Sequence, residues 1–331
     1  MLTLFHSNLL MKKRPRRNRR SSAIREMVAE TNMGVQNLIY PLFIEDGKGV
    51  KREITSLPRN YRWSLDLILP EIEECANAGL DKFVLFPAVS ESLKDPIASY
   101  SYADENFYLH AIRAIKERFP HIELMSDVAM DPYSSDGHDG LMQNGRILND
   151  ETLPILAKMA IAQAQAGIDI LGPSDMMDGR IGFLRDALDS EGFQEVSIMS
   201  YTAKYASAFY GPFRDALDSA PKTGDKKGYQ MNPANKREAI IEAKLDEAEG
   251  ADILMVKPAI CYLDVIQTLR ETTNLPITAY NVSGECAMIY AASANGWLNY
   301  EQSMAEMLLS IRRAGADGIL TYFAKDFALN A

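Results

Sequence analysis

Eight short apolar segments recur along the chain after about residue 35, and longer helical stretches separate them. They are LIYPLFIE (38–45), KFVLFPAV (82–89), IELMSDVAM (122–130), IDILGPSD (168–175), EVSIMSYTA (195–203), ADILMVKPA (251–259), PITAYNVSG (276–284) and DGILTYFA (317–324). Near-continuous Ile, Val, Leu, Tyr and Phe are typical of parallel strands that are covered on both faces. Eight such strands alternating with helices predict an α/β fold, and a (β/α)₈ TIM barrel accounts for the count. A doubly wound open sheet is the alternative, but no Gly-rich phosphate-binding motif follows the first segment.

The links between these segments differ in length according to their direction. Short helix-to-strand links repeat one pattern, as AGLD (78–81), AGID (166–169), EGAD (249–252) and AGAD (314–317). A glycine just past the last helical turn can adopt the left-handed conformation that ends a helix. Two strand-to-helix links are long, 131–148 and 204–231. In a barrel both lie on the carboxyl-terminal face, so we expect them to be binding loops or lids.

The charge is unevenly distributed along the chain. The formal net charge is -10, and residues 1–20 carry +7 and no acidic residue, which leaves -17 for the remainder. Because an acidic body repels phosphate backbones, we expect no nucleic-acid partner unless the basic segment alone binds one. An acid-poor, Arg-rich start is also compatible with a transit-peptide remnant. We interpret residues 1–34 as an N-terminal arm for subunit contacts and residues 35–331 as the barrel domain.

Hydropathy and cysteine usage exclude further classes of protein. No apolar run approaches the roughly 18 residues that a membrane span needs, so we expect no membrane partner. The three cysteines, Cys75, Cys261 and Cys286, are far apart and form no C-x-x-C pair. This spacing argues against a disulfide scaffold and a Cys-rich zinc module. A reducing compartment fits, and we expect a cytoplasmic protein.

Polar side chains follow the apolar segments at the predicted strand ends. They are Asp127 and Asp131, Ser174 and Asp175, Lys204, Lys257, Ser283 and Tyr322. The two lysines stand out, because lysine is seldom fully buried unless it is paired. Neighbouring strands lie about 4.8 Å apart. When two ammonium groups lie at this distance and are partly desolvated, the neutral amine is favoured over the charged form. The neutral amine is the form that attacks a ketone. The alternative is that both lysines pair with carboxylates at the barrel rim.

The two long links carry further candidate residues. SDVAMDPYSSDGHDG (126–140) gathers four aspartates around His138. Clustered carboxylates suit a hard cation or proton transfer, although a solvated polar turn has the same composition. RDALDSAPKTGDKKGYQ (214–230) contains cations that could clamp a substrate carboxylate, or that simply form a charged surface. The candidates there are Arg214, Lys226, Lys227 and Gln230.

Taken in order, these motifs resemble the porphobilinogen synthase family, also called 5-aminolevulinate dehydratase. The similar strings are YPLFIEDG, SDVAMDPYSSDGHDG, LGPSDMMDGR, YGPFRDA, KGYQMNP, DILMVKPA, AYNVSGE and TYFA. They extend over nearly everything from RPRRNRR (14–20) to LTYFAKD (320–326). The resemblance implies a (β/α)₈ barrel with an extended N-terminal arm. It also implies a lyase that condenses two 5-aminolevulinate molecules per site to porphobilinogen, with loss of two waters, early in tetrapyrrole biosynthesis.

The resemblance assigns roles to individual residues. Lys257 matches the lysine that forms a Schiff base with the substrate giving the propionate side, and Lys204 matches the lysine that holds the other substrate. Asp127 matches a carboxylate close to the reacting centre. Five residues match substrate-binding positions: Ser283 and Tyr322 for the first carboxylate, and Arg214, Lys226 and Gln230 around the second. Related chains often have Arg in place of Lys226, which keeps the charge but differs in geometry.

The metal expected from the resemblance is magnesium. Zinc-dependent members carry three cysteines where this chain has Ala129, Asp131 and Asp139. Thiolates suit zinc and carboxylates suit magnesium, so we expect no catalytic zinc and place the chain in the aspartate-rich, magnesium-responsive branch. Glu242 matches the ligand of an allosteric Mg²⁺ near a subunit interface. Asp131 and Asp139 are candidate ligands of an active-site cation.

The family forms octamers from arm-hugging dimers, so the resemblance implies a homo-octamer. Two other functions compete with this interpretation. A class I aldolase shares the barrel and the Schiff-base lysine, but it typically uses one such lysine and needs phosphate-binding groups. A nucleic-acid binder rests on residues 12–20 alone. Turnover of 5-aminolevulinate separates the first alternative from the dehydratase, and deletion of the arm tests the second.

Overall fold

The computed structural model of the 331-residue chain describes residues 13–218 and 221–330. Eight parallel strands form a closed barrel, since each strand pairs with the next and the last pairs with the first. They are β1 (Leu38–Glu45), β2 (Lys82–Ala88), β3 (Glu123–Val128), β4 (Ile170–Pro173), β5 (Ser197–Lys204), β6 (Ile253–Lys257), β7 (Ile277–Asn281) and β8 (Gly318–Thr321). Seven of them lie within the predicted apolar segments and β5 extends one residue beyond its segment, to Lys204, so the predicted (β/α)₈ barrel is confirmed.

Helices alternate with these strands along the chain. The described residues contain α1 (Ser22–Met27), α2 (Leu65–Asn77), α3 (Phe107–Arg118), α4 (Asn149–Gln165), α5 (Arg180–Ser190), α6 (Gly211–Leu217), α7 (Arg237–Ala248), α8 (Leu263–Thr272), α9 (Ser283–Ala294), α10 (Tyr300–Arg313) and α11 (Ala324–Leu329). Two helices, α9 and α10, separate β7 from β8. In the part of the chain that the structure describes, no helix has the length and apolarity to cross a bilayer.

The core follows from the apolar strands. All eight residues of β1 are buried, and the other strands are buried except near their first residues. The glycines of the four repeated links have φ angles of +84°, +96°, +101° and +118°, as the left-handed helix ends require. At Gly315 a Cβ atom would lie 2.8 Å from Cβ of Arg270, so a larger residue does not fit. The repeated glycine pattern therefore marks the turns that lead into the strands.

One irregularity interrupts the pairing of β5 with β6. Leu254 of β6 lies opposite Ser200 of β5, and Lys257 lies opposite Lys204. Between these two pairs β6 advances by three residues and β5 by four. The extra residue of β5 is a bulge, and it changes which side chains of the two strands face the same side.

Two loops extend from the carboxyl ends of the strands. The acidic loop, residues 129–140, follows β3 and leads into a two-stranded hairpin (Leu141–Gln143 and Arg146–Leu148). The lid loop, residues 205–236, joins β5 to α7 and contains α6; the structure describes it except for residues 219–220. A third excursion follows β1, where Lys51–Glu53 and Tyr61–Trp63 form an antiparallel pair.

The described residues before Met33, 13–32, belong to a unit of their own. Its described part contains a 3₁₀ helix (Pro15–Arg19) and α1, whose first turn is capped by Ser21 Oγ accepting from the Ile24 amide at 3.4 Å. Neither helix has a buried residue. The predicted arm, 1–34, includes residues 1–12, which lie outside the described residues, and its subunit contacts stay a prediction.

Candidate active site

A pocket opens at the carboxyl ends of the barrel strands, under the lid loop. It is lined by Asp127, Asp131, Ser174, Lys204, Tyr210, Phe213, Arg214, Lys226, Gln230 and Lys257. Seven of these ten residues are among the site residues predicted from sequence. Strand ends and both long loops therefore bring together residues that lie up to 130 positions apart in sequence, from Asp127 to Lys257.

The two predicted lysines are register partners. Lys204 ends β5 and Lys257 ends β6, and the two residues lie directly opposite each other. Each is only 5% exposed. Opposite residues of adjacent strands project to the same side of a sheet, so both ammonium groups reach one pocket. Their surroundings, however, are different.

Lys257 is enclosed by aromatic rings. Its Nζ lies 4.6 Å from the ring centroid of Tyr280, 4.8 Å from Phe213, 5.1 Å from Tyr201 and 5.3 Å from Tyr210. Among the described residues no carboxylate lies within ion-pair distance of this amine. Burial, reinforced by the charge of Lys204, lowers the pKa of Lys257 to about 7. A large share of this side chain is therefore a free amine near neutral pH, as a nucleophile requires.

Lys204 lies among polar groups. Its Nζ donates a hydrogen bond to the backbone carbonyl of Ser174 and lies 3.8 Å from Asp139 Oδ1. The Tyr201 ring, which also lies near Lys257, has its centroid 5.9 Å from Nζ of Lys204. The Tyr201 ring thus lies near both lysines. The surroundings of Lys257 are the aromatic part of the pocket, and those of Lys204 are the charged part.

Three buried aspartates form the acidic part of the pocket. Burial and the nearby Asp131 raise the pKa of Asp127 to about 7, and Oδ1 of Asp127 has no hydrogen-bond partner among the described residues. Burial and Asp139 raise the pKa of Asp131. Burial alone would also raise the pKa of Asp139, but Lys204 and Lys226 outweigh it and lower the value to about 2. Asp127 can therefore exchange a proton near neutral pH, whereas Asp139 stays ionised.

Lys226 of the lid loop pairs with two of these aspartates. Its Nζ lies 3.0 Å from Asp131 Oδ2 and 2.9 Å from Asp139 Oδ2. Burial alone would lower the pKa of Lys226, but the two carboxylates outweigh it and raise the value to about 12. The two candidate cation ligands are thus brought together, with the protein's own ammonium group on both of them.

Ser283 and Tyr322, predicted to bind a carboxylate, lie beside the aromatic rings and do not line the pocket. The Oγ of Ser283 accepts a hydrogen bond from the Phe213 amide at 3.0 Å. The hydroxyl of Tyr322 lies 2.8 Å from that of Tyr280. Ser283 therefore holds the lid loop and Tyr322 holds a ring of the Lys257 enclosure. Their role toward substrate stays a prediction.

His138 connects the acidic loop to the lid loop. Its Nε2 lies 2.9 Å from the carbonyl oxygen of Thr223, and its Nδ1 lies 3.1 Å from the hydroxyl of Tyr229. Because a carbonyl only accepts, Nε2 carries the hydrogen that is donated to Thr223. Both ring nitrogens are therefore engaged in holding the lid loop against the acidic loop.

Glu242 lies apart from the pocket, on α7. It is half-buried, and burial, with further contributions from Asp246, Asp178 and Glu238, raises its pKa to about 7 against the opposing effect of Arg180. Within the described residues, no group of three or more His, Cys, Asp or Glu side chains is arranged to hold a metal ion. Any cation at Glu242 would therefore need most of its ligands from water or another subunit.

Comparison with known proteins gives a consistent result. A family model described as delta-aminolevulinic acid dehydratase matches residues 12–330. The delta-aminolevulinic acid dehydratase of Chlamydia pneumoniae is 53% identical over 318 residues, covering 96% of each chain. The chloroplastic enzyme of Physcomitrium patens is 56% identical over 321 residues, covering 96% of this chain and 74% of its own.

A solved structure resembles this chain in both fold and sequence. It is the delta-aminolevulinic acid dehydratase, or porphobilinogen synthase, of Toxoplasma gondii in complex with its reaction product porphobilinogen. The two superpose with a TM-score of 0.95 and are 49% identical, over 96% of this chain and 91% of the other.

Proposed function

Since this chain belongs to the delta-aminolevulinic acid dehydratase family, we infer that it condenses two molecules of 5-aminolevulinate to porphobilinogen and releases two waters. This makes it a lyase of tetrapyrrole biosynthesis. The observation that carries the inference beyond family membership is the pair of register-matched lysines in one pocket. Two amines can each hold one ketone substrate as an imine, so two substrates are bound side by side.

Lys257 is the proposed nucleophile toward the first substrate. Its free amine attacks the ketone carbon of one substrate, and the carbonyl oxygen leaves as water when the imine forms. The four rings around Nζ exclude bulk water, which protects the imine from hydrolysis. We assign the covalent step on the first substrate to this residue.

Lys204 and Asp127 complete the reacting centre. Lys204 holds the second substrate next to the first, which turns a reaction between two dilute molecules into one between neighbours. Asp127, with its pKa raised to about 7, can donate and accept protons during carbon–carbon and carbon–nitrogen bond formation. The lid-loop residues Arg214, Lys226 and Gln230 line the same pocket and are assigned to the second substrate's carboxylate.

Incubation with 5-aminolevulinate followed by a colour test for porphobilinogen tests the reaction. Borohydride reduction in the presence of substrate should trap it on Lys257, Lys204 or both, as identified by peptide mass spectrometry. The Lys257→Met and Lys204→Met variants are matched controls, since each keeps a long side chain and removes one amine. Porphobilinogen formation without any trapped lysine would contradict the Schiff-base assignment.

We further propose that magnesium acts through Glu242 rather than in the pocket. Mg²⁺ often uses one or two carboxylates and keeps several waters, which suits a half-buried glutamate surrounded by other acidic residues. The bound ion would supply charge neutralisation and would favour the assembled form by mass action. Glu242→Ala should lose magnesium stimulation while keeping the magnesium-free rate. A variant that responds to magnesium like the parent would contradict the assignment.

The N-terminal arm is proposed to build the homo-oligomer, by family expectation an octamer. Residues 1–20 carry +7 against -17 elsewhere, so an arm that reaches a neighbouring subunit gains from opposite charge. Deletion of residues 1–20 should reduce the mass measured by light scattering. An unchanged mass would refute this role.

A further inference from the structure

Two buried carboxylates of the acidic loop share one ammonium group that comes from the lid loop. The side chains of Asp139, Lys226 and Asp131 are 1%, 8% and 10% exposed. Two like charges so close together and so buried require a cation. His138 of the same loop, which could otherwise serve as a metal ligand, is already engaged, because its two ring nitrogens contact Thr223 and Tyr229.

The charges of the pocket are balanced without a metal ion. Three buried aspartates face three buried lysines: Asp127, Asp131 and Asp139 against Lys204, Lys226 and Lys257. Arg214, half-buried at the same pocket, adds a further positive charge. A divalent ion on Asp131 and Asp139 would have to displace the Lys226 ammonium or lie against it.

We propose that Lys226 is the resident cation of the acidic loop and that it takes the place of a divalent metal there. The part of this inference that concerns the second substrate rests on the proposed function; the pairing of Lys226 with the two aspartates does not. An ammonium group has three N–H donors. One is donated to Asp131 Oδ2 at 3.0 Å, and Asp139 Oδ2 is an ion-pair partner at 2.9 Å without a hydrogen bond. Donor capacity is therefore left for the carboxylate of the second substrate.

This arrangement differs from a metal site in one respect. Lys226 belongs to the lid loop, so the positive charge reaches Asp131 and Asp139 only when the lid loop lies against the acidic loop. A metal ion would stay on the acidic loop whatever the position of the lid loop. Neutralisation of the two aspartates and enclosure of the pocket are thus one event.

Mn²⁺ binding, followed by electron paramagnetic resonance without substrate, tests the proposal. The experiment uses the full-length protein with Glu242→Ala, which removes the proposed magnesium ligand outside the pocket. In that background no Mn²⁺ should bind at the acidic loop. Adding Lys226→Ala should create a site for about one Mn²⁺ per subunit, since two carboxylates and waters suffice for such an ion. Adding Asp139→Asn to the same protein should remove it.

Lys226→Arg is the matched control, because it keeps the positive charge and should create no Mn²⁺ site. The proposal is overturned if the Glu242→Ala protein already binds Mn²⁺ and loses it with Asp139→Asn alone. It is also overturned if a folded Lys226→Ala protein, verified by circular dichroism, binds none. Mn²⁺ binding can also be compared between the Glu242→Ala protein and the same protein with Asp139→Asn added. That comparison does not depend on whether the Lys226→Ala variant folds. Failure of the proposed reaction would be seen separately, as absence of porphobilinogen from the parent protein.

Discussion

The aromatic and the charged parts of the pocket present the same functional group in opposite surroundings. Lys257 is enclosed by Tyr201, Tyr210, Phe213 and Tyr280, whereas Lys204 contacts a carbonyl and an aspartate. The two lysines are equivalent in sequence context, each ending an apolar strand, and equivalent in register. Only their neighbours differ. An enzyme that joins two identical substrates into an unsymmetrical product needs such a difference, and here side-chain packing supplies it.

The largest expected effect comes from removing the amine of the aromatic part. Lys257→Met should lower porphobilinogen formation by at least about 10³-fold, because the covalent nucleophile is lost. Lys204→Met should be severely impaired but less so, on the order of 10²-fold, since it removes positioning of the second substrate. Initial rates of product formation measure both. Near-normal turnover of Lys257→Met would show that the two parts do not differ in the way proposed.

The next effect concerns the cations of the lid loop. Arg214→Met should weaken the binding of the second substrate by about 1.5–3 kcal/mol, because a charge-assisted contact to the carboxylate of that substrate is removed. Single-turnover kinetics can separate the two binding events, and the first should change little. A variant that weakens both binding events equally would contradict the assignment of Arg214 to the second substrate.

The pH dependence of imine formation sharpens the comparison further. Because the pKa of Lys257 is lowered to about 7, its free-amine fraction, and with it borohydride trapping at Lys257, should rise with pH through about 7 and then level off. The charge of Lys204 contributes to this lowering, so Lys204→Met should raise the pKa of Lys257 and move the profile to higher pH. An unmoved profile would mean that the aromatic surroundings alone set the reactivity of Lys257.

The smallest effect is expected where the acidic loop holds the lid loop. His138→Ala removes two hydrogen bonds to the lid loop, and each is worth about 0.5–1.5 kcal/mol, so KM should rise several-fold. The maximal rate should be nearly unchanged, because His138 does not line the pocket. His138→Gln, which can still donate to the Thr223 carbonyl, should recover part of the loss. A fall in kcat at constant KM would argue for a direct role in the chemistry.

Sequence periodicity predicted the barrel and both lysines, because buried parallel strands have a pattern of their own and strand ends have a known place. The aromatic enclosure of Lys257 was not predicted. Phe213 and Tyr210 come from the lid loop, whose path over the barrel has no periodic pattern to reveal it. Tyr201 lies three positions before Lys204, and strict alternation along a strand would place the two side chains on opposite faces.

The pairing of Lys226 with the acidic loop could not be predicted from the sequence either. Asp131 and Lys226 are 95 residues apart, and the charge run around Lys226 is indistinguishable from a solvated surface. The resemblance to a known family pointed to a carboxylate-binding role for Lys226. Its partners in the pocket could be found only once the two loops were placed against each other.

The extra residue in β5 determines whether the side chains of the two lysines project to the same side of the sheet. Had the pairing of Leu254 with Ser200 continued without it, Lys257 would lie opposite Ala203, and its side chain would project away from that of Lys204. One codon, gained or lost between positions 200 and 204, is therefore enough to separate the pair while leaving both lysines in the gene. Relatives that keep both lysines but differ in length within this strand should not be assumed to keep the activity.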